Sequence, residues 1–215
     1  MQETVHRLLT MGTATLGESG ALTCLPRLRA AWPGARMAGP ACTVRCPDGD
    51  NLALHVALTV ARRGSVLVGR ASADLGNWGE VLTCQALARG LAGLVLDGGV
   101  RDTDALAQRA FPVFATATCL PGARKVGPGS VGGAVEVGGV IAHHGDWVVA
   151  DADGVVVVPA AALDDVLTAA SARRDGELGL FAALAAGAST VDLLGLDADA
   201  VELVPAAQLS RGGRP

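Results

Sequence analysis

Two short segments hold the side chains best suited to act together. In Leu94-Val95-Leu96-Asp97-Gly98-Gly99-Val100-Arg101-Asp102, an apolar run that reads as a buried strand passes two glycines and delivers an arginine and an aspartate. Open α/β sheets place ligands at the carboxyl ends of their strands, so Arg101 and Asp102 stand where a ligand would be met. The plainer alternative is that Asp102 caps a helix starting at Thr103 and Arg101 lies on the surface. The second segment, Asn77-Trp78-Gly79-Glu80-Val81-Leu82, opens a helix. It fits a capping box with Asn77 as cap and Glu80 at the third position. It equally fits an anion seat, with free amides from Gly79 to Leu82 and a carboxylate beside them for a cation's water shell. If both helix starts lie at the carboxyl edge of neighbouring strands, they converge on one pocket.

Other patterns are weaker. Gly127-Pro128-Gly129-Ser130-Val131-Gly132 spells G-x-G-x-x-G, but Pro128 sits inside it and a Gly/Val strand follows where a dinucleotide site needs a helix. His143-His144 reads as the surface of a hairpin, since adjacent strand residues point to opposite faces. Cys42 and Cys46 lie on a strand and are too far apart, about 13 Å, to hold one ion. Lys125 is the single lysine among 17 basic residues, so imine chemistry has one candidate, and no apolar element obviously buries it.

The elements that must position these residues alternate. A helix over residues 3–9 and a loop-rich lead-in precede a strand at 36–45, and Asn51 caps a helix running to about residue 63. A strand at 65–68, an irregular stretch at 69–77, a helix at 78–89 closed by Gly90, a strand at 92–96, a turn at Asp97-Gly98-Gly99, a helix at 103–109 and a strand at 111–115 follow. This order implies parallel strands joined by crossovers, an α/β fold. After Pro121, Val-rich strands at 132–141, 147–150 and 155–158 predict a β-rich layer packed beside it. A long helix at 159–186 ends at Gly187, and a tail from Arg211 is expected to be disordered.

Composition narrows the function. Of 215 residues, 50% are apolar and 18% charged, with a net charge of −4, so one globular domain over residues 1–210 is expected and a nucleic-acid partner is not. No run reaches the roughly 18 to 20 apolar residues that span a bilayer, so no membrane partner is expected. Glu3 stands where a secretory signal would be basic, which points to the cytoplasm. Five scattered cysteines suit reduced thiols better than disulfides.

The order Gly79-Glu80-Val81-Leu82, Arg89-Gly90-Leu91-Ala92-Gly93, Leu96-Asp97-Gly98-Gly99-Val100-Arg101-Asp102 and Phe111-Pro112-Val113-Phe114 resembles the 4-hydroxy-4-methyl-2-oxoglutarate aldolase family, which includes the regulators of ribonuclease activity A. Twenty residues separate Glu80 from Arg101-Asp102, matching the family's acid-x20-Arg-Asp signature. Gly39-Pro40-Ala41-Cys42-Thr43-Val44, Asp50-Asn51-Leu52-Ala53 and Asp151-Ala152-Asp153-Gly154 extend the likeness. Two positions depart from it: Gly17-Glu18-Ser19 replaces a usual Ser-Asp-Ala, and Gly176 replaces a basic residue before Glu177.

The resemblance implies a layered α/β/β sandwich of swivelling-domain-like type, assembled as a homotrimer or hexamer with the site at a subunit interface. It also implies a class II aldolase that cleaves 4-hydroxy-2-oxo acids to pyruvate and decarboxylates oxaloacetate. Asp102 would bind Mg²⁺ or Mn²⁺, and Glu80 and a neighbouring chain's Glu177 would hold its waters. Arg101 would contact the keto oxygen, and the amides from Gly79 through Val81 to Leu82 would seat the carboxylate. A guanidinium and a cation suit the enolate charge of such a cleavage. The alternatives are a non-catalytic regulator that docks on a ribonuclease or helicase, or a biosynthetic lyase using the same site on another substrate.

Overall fold

The computed structural model describes residues 1–202. In chain order the elements are α1 (Gln2–Gly17), β1 (Leu22–Thr23), β2 (Arg29–Ala30), β3 (Met37–Arg45), α2 (Leu52–Val60), β4 (Val66–Arg70), α3 (Glu80–Arg89), β5 (Gly93–Val100), α4 (Thr103–Gln108) and β6 (Val113–Thr118). There follow β7 (Ser130–Val131), β8 (Ala134–Val137), β9 (Val140–His143), β10 (Trp147–Ala150), β11 (Val155–Val158), α5 (Leu163–Ala185) and α6 (Thr190–Leu194). Two compact units result, residues 1–173 and the segment from Arg174 onward; the second holds the last turns of α5 and all of α6. The tail expected from Arg211 lies outside the described residues.

The first unit is built on a sheet of order β1-β11-β10-β3-β4-β5-β6-β2, with β7 on β3. β3, β4, β5 and β6 run parallel, as the alternating pattern predicts, and α2, α3 and α4 supply the crossovers. Side chains alternate along these strands and so feed two cores. Leu67, Leu94 and Leu96 meet Leu54, Leu58, Leu82 and Leu106 from the helices. Val66, Val68, Val95 and Phe114 meet Val135, Val137 and Ala142 of the β8–β9 hairpin. A third cluster packs Leu8 and Leu16 of α1 against Val156, Val158, Val166 and Leu167.

Several local expectations need correction. β10 and β11 continue the main sheet instead of forming a separate layer, because β3 is long enough to give Met37–Pro40 to β10 and Ala41–Arg45 to β4. The strand expected over 132–141 is two strands folded back at Gly138-Gly139. Asp97-Gly98-Gly99 is not a turn: β5 runs on to Val100 with a register irregularity after Leu96. The glycines there serve close approach, since a Cβ on Gly99 would lie 2.4 Å from the Leu75 carbonyl oxygen. α1 extends past residue 9 to Gly17, bending at Gly12. No helix among the described residues is long and apolar enough to cross a membrane.

Candidate active site

The end of β5 and the start of α3 are tied together by backbone. Trp78 bridges Val100, and the Arg101 amide donates to the Trp78 carbonyl at 2.8 Å. Trp78 is fully buried, stacks on Phe111 at a centroid distance of 6.1 Å, and donates its indole N–H to Thr83 Oγ1. Asn77 does not cap α3. Its side-chain amide donates to the carbonyls of Ser72, Leu75 and Gly99, so it staples the loop at 72–77 to β5. Asn51 does stand at the N-cap of α2, but its side chain makes no cap bond: its amide donates to the Asn77 carbonyl at 2.7 Å.

The cap of α3 comes from a distant residue. Asp102 Oδ2 accepts from the Glu80 amide at 3.0 Å. Gly79 makes this possible, because a Cβ there would stand 2.4 Å from Asp102 Oδ2 and 3.0 Å from Arg101 Cγ. Asp102 holds a left-handed conformation, φ 60° and ψ 36°, and makes no side-chain cap to its own helix α4, so its carboxylate turns toward α3 instead. A left-handed aspartate is uncommon, and such conformations gather at functional sites. The first bond within α3 runs from the Thr83 amide to the Gly79 carbonyl, which leaves the amides of Val81 and Leu82 ahead of it without intrahelical partners.

These groups border one cavity of about 140 Å³. Gly79, Val81, Leu82, Arg101 and Asp102 all line it, so the structure brings five of the sequence-predicted residues together. Arg101 Nε lies 3.7 Å from Asp102 Oδ2. Glu80 belongs to the same turn, but its carboxylate accepts two hydrogen bonds from Arg109, at 2.7 and 3.0 Å. Glu177 lies on α5 in the second unit.

Sequence reasoning did not assign the rest of the lining to the site. Asn51, at the N-cap of α2, and His55, one turn on in that helix, face the cavity, as does Lys125. Asp50 fixes that side: its carboxylate accepts the amides of Leu52, Val126 and Gly127 at 2.7 to 2.9 Å, clamping the Lys125 loop to the start of α2. Those amide bonds, led by Val126, hold the Asp50 carboxyl below its ordinary pKa. Burial, then the Lys125 charge, lowers the His55 pKa, with Asp50 acting against them. The signal available was the i, i+4 spacing of Asn51 and His55; nothing local pointed to Lys125.

Among the described residues no group of three or more His, Cys, Asp or Glu side chains could hold a metal ion. A small hard cation needs less protein than that, since Mg²⁺ keeps several waters and binds through one or two carboxylates. Asp102 fits this demand. Its side chain is 40% exposed, only Oδ2 is engaged, and Oδ1 has no hydrogen bond among the described residues.

The RraA-like family model, described as Aldolase/RraA, matches residues 13–157. A Halalkalibacterium halodurans protein named "Putative 4-hydroxy-4-methyl-2-oxoglutarate aldolase" is 36% identical over 141 residues, covering 65% of this chain and 67% of that protein. Among solved structures, an uncharacterized protein of Pseudomonas syringae superposes with a TM-score of 0.79 at 28% identity, covering 88% of this chain and 91% of the other. A Streptomyces coelicolor protein, described as an unusual member of the RNase ES inhibitor RraA protein family, gives a TM-score of 0.71 at 31% identity over 84% of this chain and 95% of its own. With its mixed α/β fold and the matched span covering most of its length, the chain belongs to the RraA-like family.

Proposed function

We propose that the protein is a lyase that cleaves 4-hydroxy-2-oxo acids to pyruvate and decarboxylates oxaloacetate. The observation that carries this reading is the meeting of Arg101, Asp102 and the open amides of α3 around one small cavity. The substrate carboxylate fits the amides of Val81 and Leu82, where a helix start favours an anion. Its 2-oxo oxygen then falls to the Arg101 guanidinium. Cleavage breaks the C3–C4 bond: the C4 hydroxyl gives up its proton, C4 becomes a carbonyl, and the bond pair passes to the pyruvate half as an enolate. A proton then returns to C3. Loss of carbon dioxide from oxaloacetate reaches the same enolate, so a guanidinium fixed where negative charge develops serves both reactions. Mg²⁺ or Mn²⁺ held by Asp102 Oδ1 would supply further positive charge beside that oxygen.

Glu177 would complete the site from a neighbouring copy in a trimer or hexamer. Large apolar side chains left exposed near the cavity, Val81 at 76%, Leu120 at 83% and Val126 at 79%, support a subunit interface there. Pyruvate release from oxaloacetate with Mg²⁺, lost on adding EDTA, tests the reading; no release, or release indifferent to EDTA, rules it out. A second reading, a regulator that binds a ribonuclease, is favoured by the likeness to the Streptomyces coelicolor protein. Inhibition of a ribonuclease by the protein, with no lyase turnover, would select it.

A further inference from the structure

The backbone that ties Arg101 to α3 carries a second feature, which the chemistry above does not use. The chain holds only three tryptophans and three phenylalanines in 215 residues, and two of these six, Trp78 and Phe111, stack with their planes 11° apart. Trp78 and Thr83 are both 0% exposed, and Trp78 packs in an apolar cluster with Leu82, Val100 and Leu106. Phenylalanine and valine at these two positions would suit such a cluster. Instead each side chain carries a polar group into it, and the two groups meet: the indole N–H donates to Thr83 Oγ1 at 2.7 Å. A buried hydrogen bond adds little net stability over a matched apolar pair of the same shape. What it adds is direction. Together with the Phe111 stack it fixes the rotation of the indole and so the backbone of Trp78.

That backbone is where Arg101 is held. The Trp78 carbonyl accepts the Arg101 amide at 2.8 Å, and Trp78 bridges Val100 at the end of β5. Thr83 stands one turn into α3, its amide on the Gly79 carbonyl at 3.1 Å, so the turn that offers the Val81 and Leu82 amides lies between the two ends of the indole link. The Arg101 side chain is 43% exposed, so much of its aim depends on its root. We propose that Thr83 is a positioning residue: through the Trp78 indole it fixes the Arg101 backbone relative to the open amides of α3. It thereby sets the span between the guanidinium, placed where negative charge develops, and the seat of the substrate carboxylate. The effect on turnover rests on the lyase reading; the link from Thr83 to the Arg101 backbone does not.

The test follows oxaloacetate decarboxylation with Mg²⁺, deuterium exchange at the Arg101 amide and melting temperature in Thr83→Val, Thr83→Ser and Trp78→Phe. Thr83→Val keeps the shape and loses the acceptor. Its kcat should fall by about tenfold with KM within about twofold of wild type, the pattern of an interaction felt in the transition state, and the Arg101 amide should exchange faster. Trp78→Phe, which loses the donor, should behave alike. Thr83→Ser gives up a methyl group but keeps the hydroxyl, so kcat and exchange should stay near wild type even where melting temperature drops. Wild-type kcat and exchange in Thr83→Val, or in Trp78→Phe if Thr83→Val does not fold, overturn the proposal and leave the lyase standing. So does a loss of kcat in Thr83→Ser equal to that in Thr83→Val, which marks a purely structural side chain. Wild type inert toward oxaloacetate removes the lyase reading, and exchange at Arg101 then decides the link: faster in Thr83→Val supports it, unchanged overturns it.

Discussion

The Asp102 carboxylate caps α3 by accepting the Glu80 amide at 3.0 Å, so the residue that follows β5 and the start of the neighbouring helix form one rigid corner. Gly79 sits inside that corner. Gly79→Ala should force Asp102 and Arg101 apart from α3, because the added Cβ would lie 2.4 Å from Asp102 Oδ2. Turnover is expected to fall by about a hundredfold, as a displacement of about 1 Å at a reacting centre can do. Circular dichroism should show the fold retained, and wild-type turnover in a folded Gly79→Ala would refute the role of the corner.

Glu80 separates two readings of one side chain. Its ion pair with Arg109 is exposed on both sides, and such pairs are worth about 0.2–1 kcal/mol. Arg109→Ala should therefore cost little in melting temperature. If the Glu80 carboxylate also serves the proposed site, Glu80→Gln lowers kcat at unchanged melting temperature; equal activity in Glu80→Gln and wild type would leave it a surface ion pair.

Thiol chemistry should divide sharply. Burial, followed by the Asp97 charge, pushes the Cys24 thiol from an ordinary 9.0 up to about 12, and burial carries Cys46 to about 11. The folded protein holds these protons more tightly than the unfolded chain. Their contribution to stability is therefore complete below about pH 9 and is lost as pH rises toward about 12. Melting temperature should fall across that window, less steeply in Cys24→Ala; an identical slope in the variant counts against the assignment. At neutral pH, iodoacetamide should modify exposed Cys84 and spare Cys24, Cys42 and Cys46.

Much of the site was legible because its parts obey local rules. A buried apolar run ending in Arg101-Asp102 and a helix opening at Gly79 are patterns within ten residues, and the parallel sheet sets their ends side by side. The capping box failed at Asn77 because local spacing cannot reveal that a bare Gly79 admits to the Glu80 amide a carboxylate 22 residues beyond Glu80. Lys125, weighed in the sequence only as an imine candidate, could not be placed at the cavity for the same reason. Its place at the cavity depends on Asp50 gathering amides 76 and 77 positions along the chain, a closure no periodicity reports. The β10–β11 pair was mistaken for a second layer because strand pattern gives burial but not the edge a strand joins.

The central claim is that Asp102 and its corner carry the reaction. Asparagine tolerates the left-handed backbone that Asp102 adopts and matches its shape, so Asp102→Asn removes a charge with the fold intact. The decisive measurement is pyruvate release from oxaloacetate by wild type and Asp102→Asn, each titrated with Mg²⁺. The account predicts saturable, Mg²⁺-dependent release by wild type and a loss of about a hundred- to a thousandfold in the variant, of the order seen when one preorganised charge-stabilising group is removed. Release by Asp102→Asn at the wild-type rate and with the same Mg²⁺ dependence would contradict it.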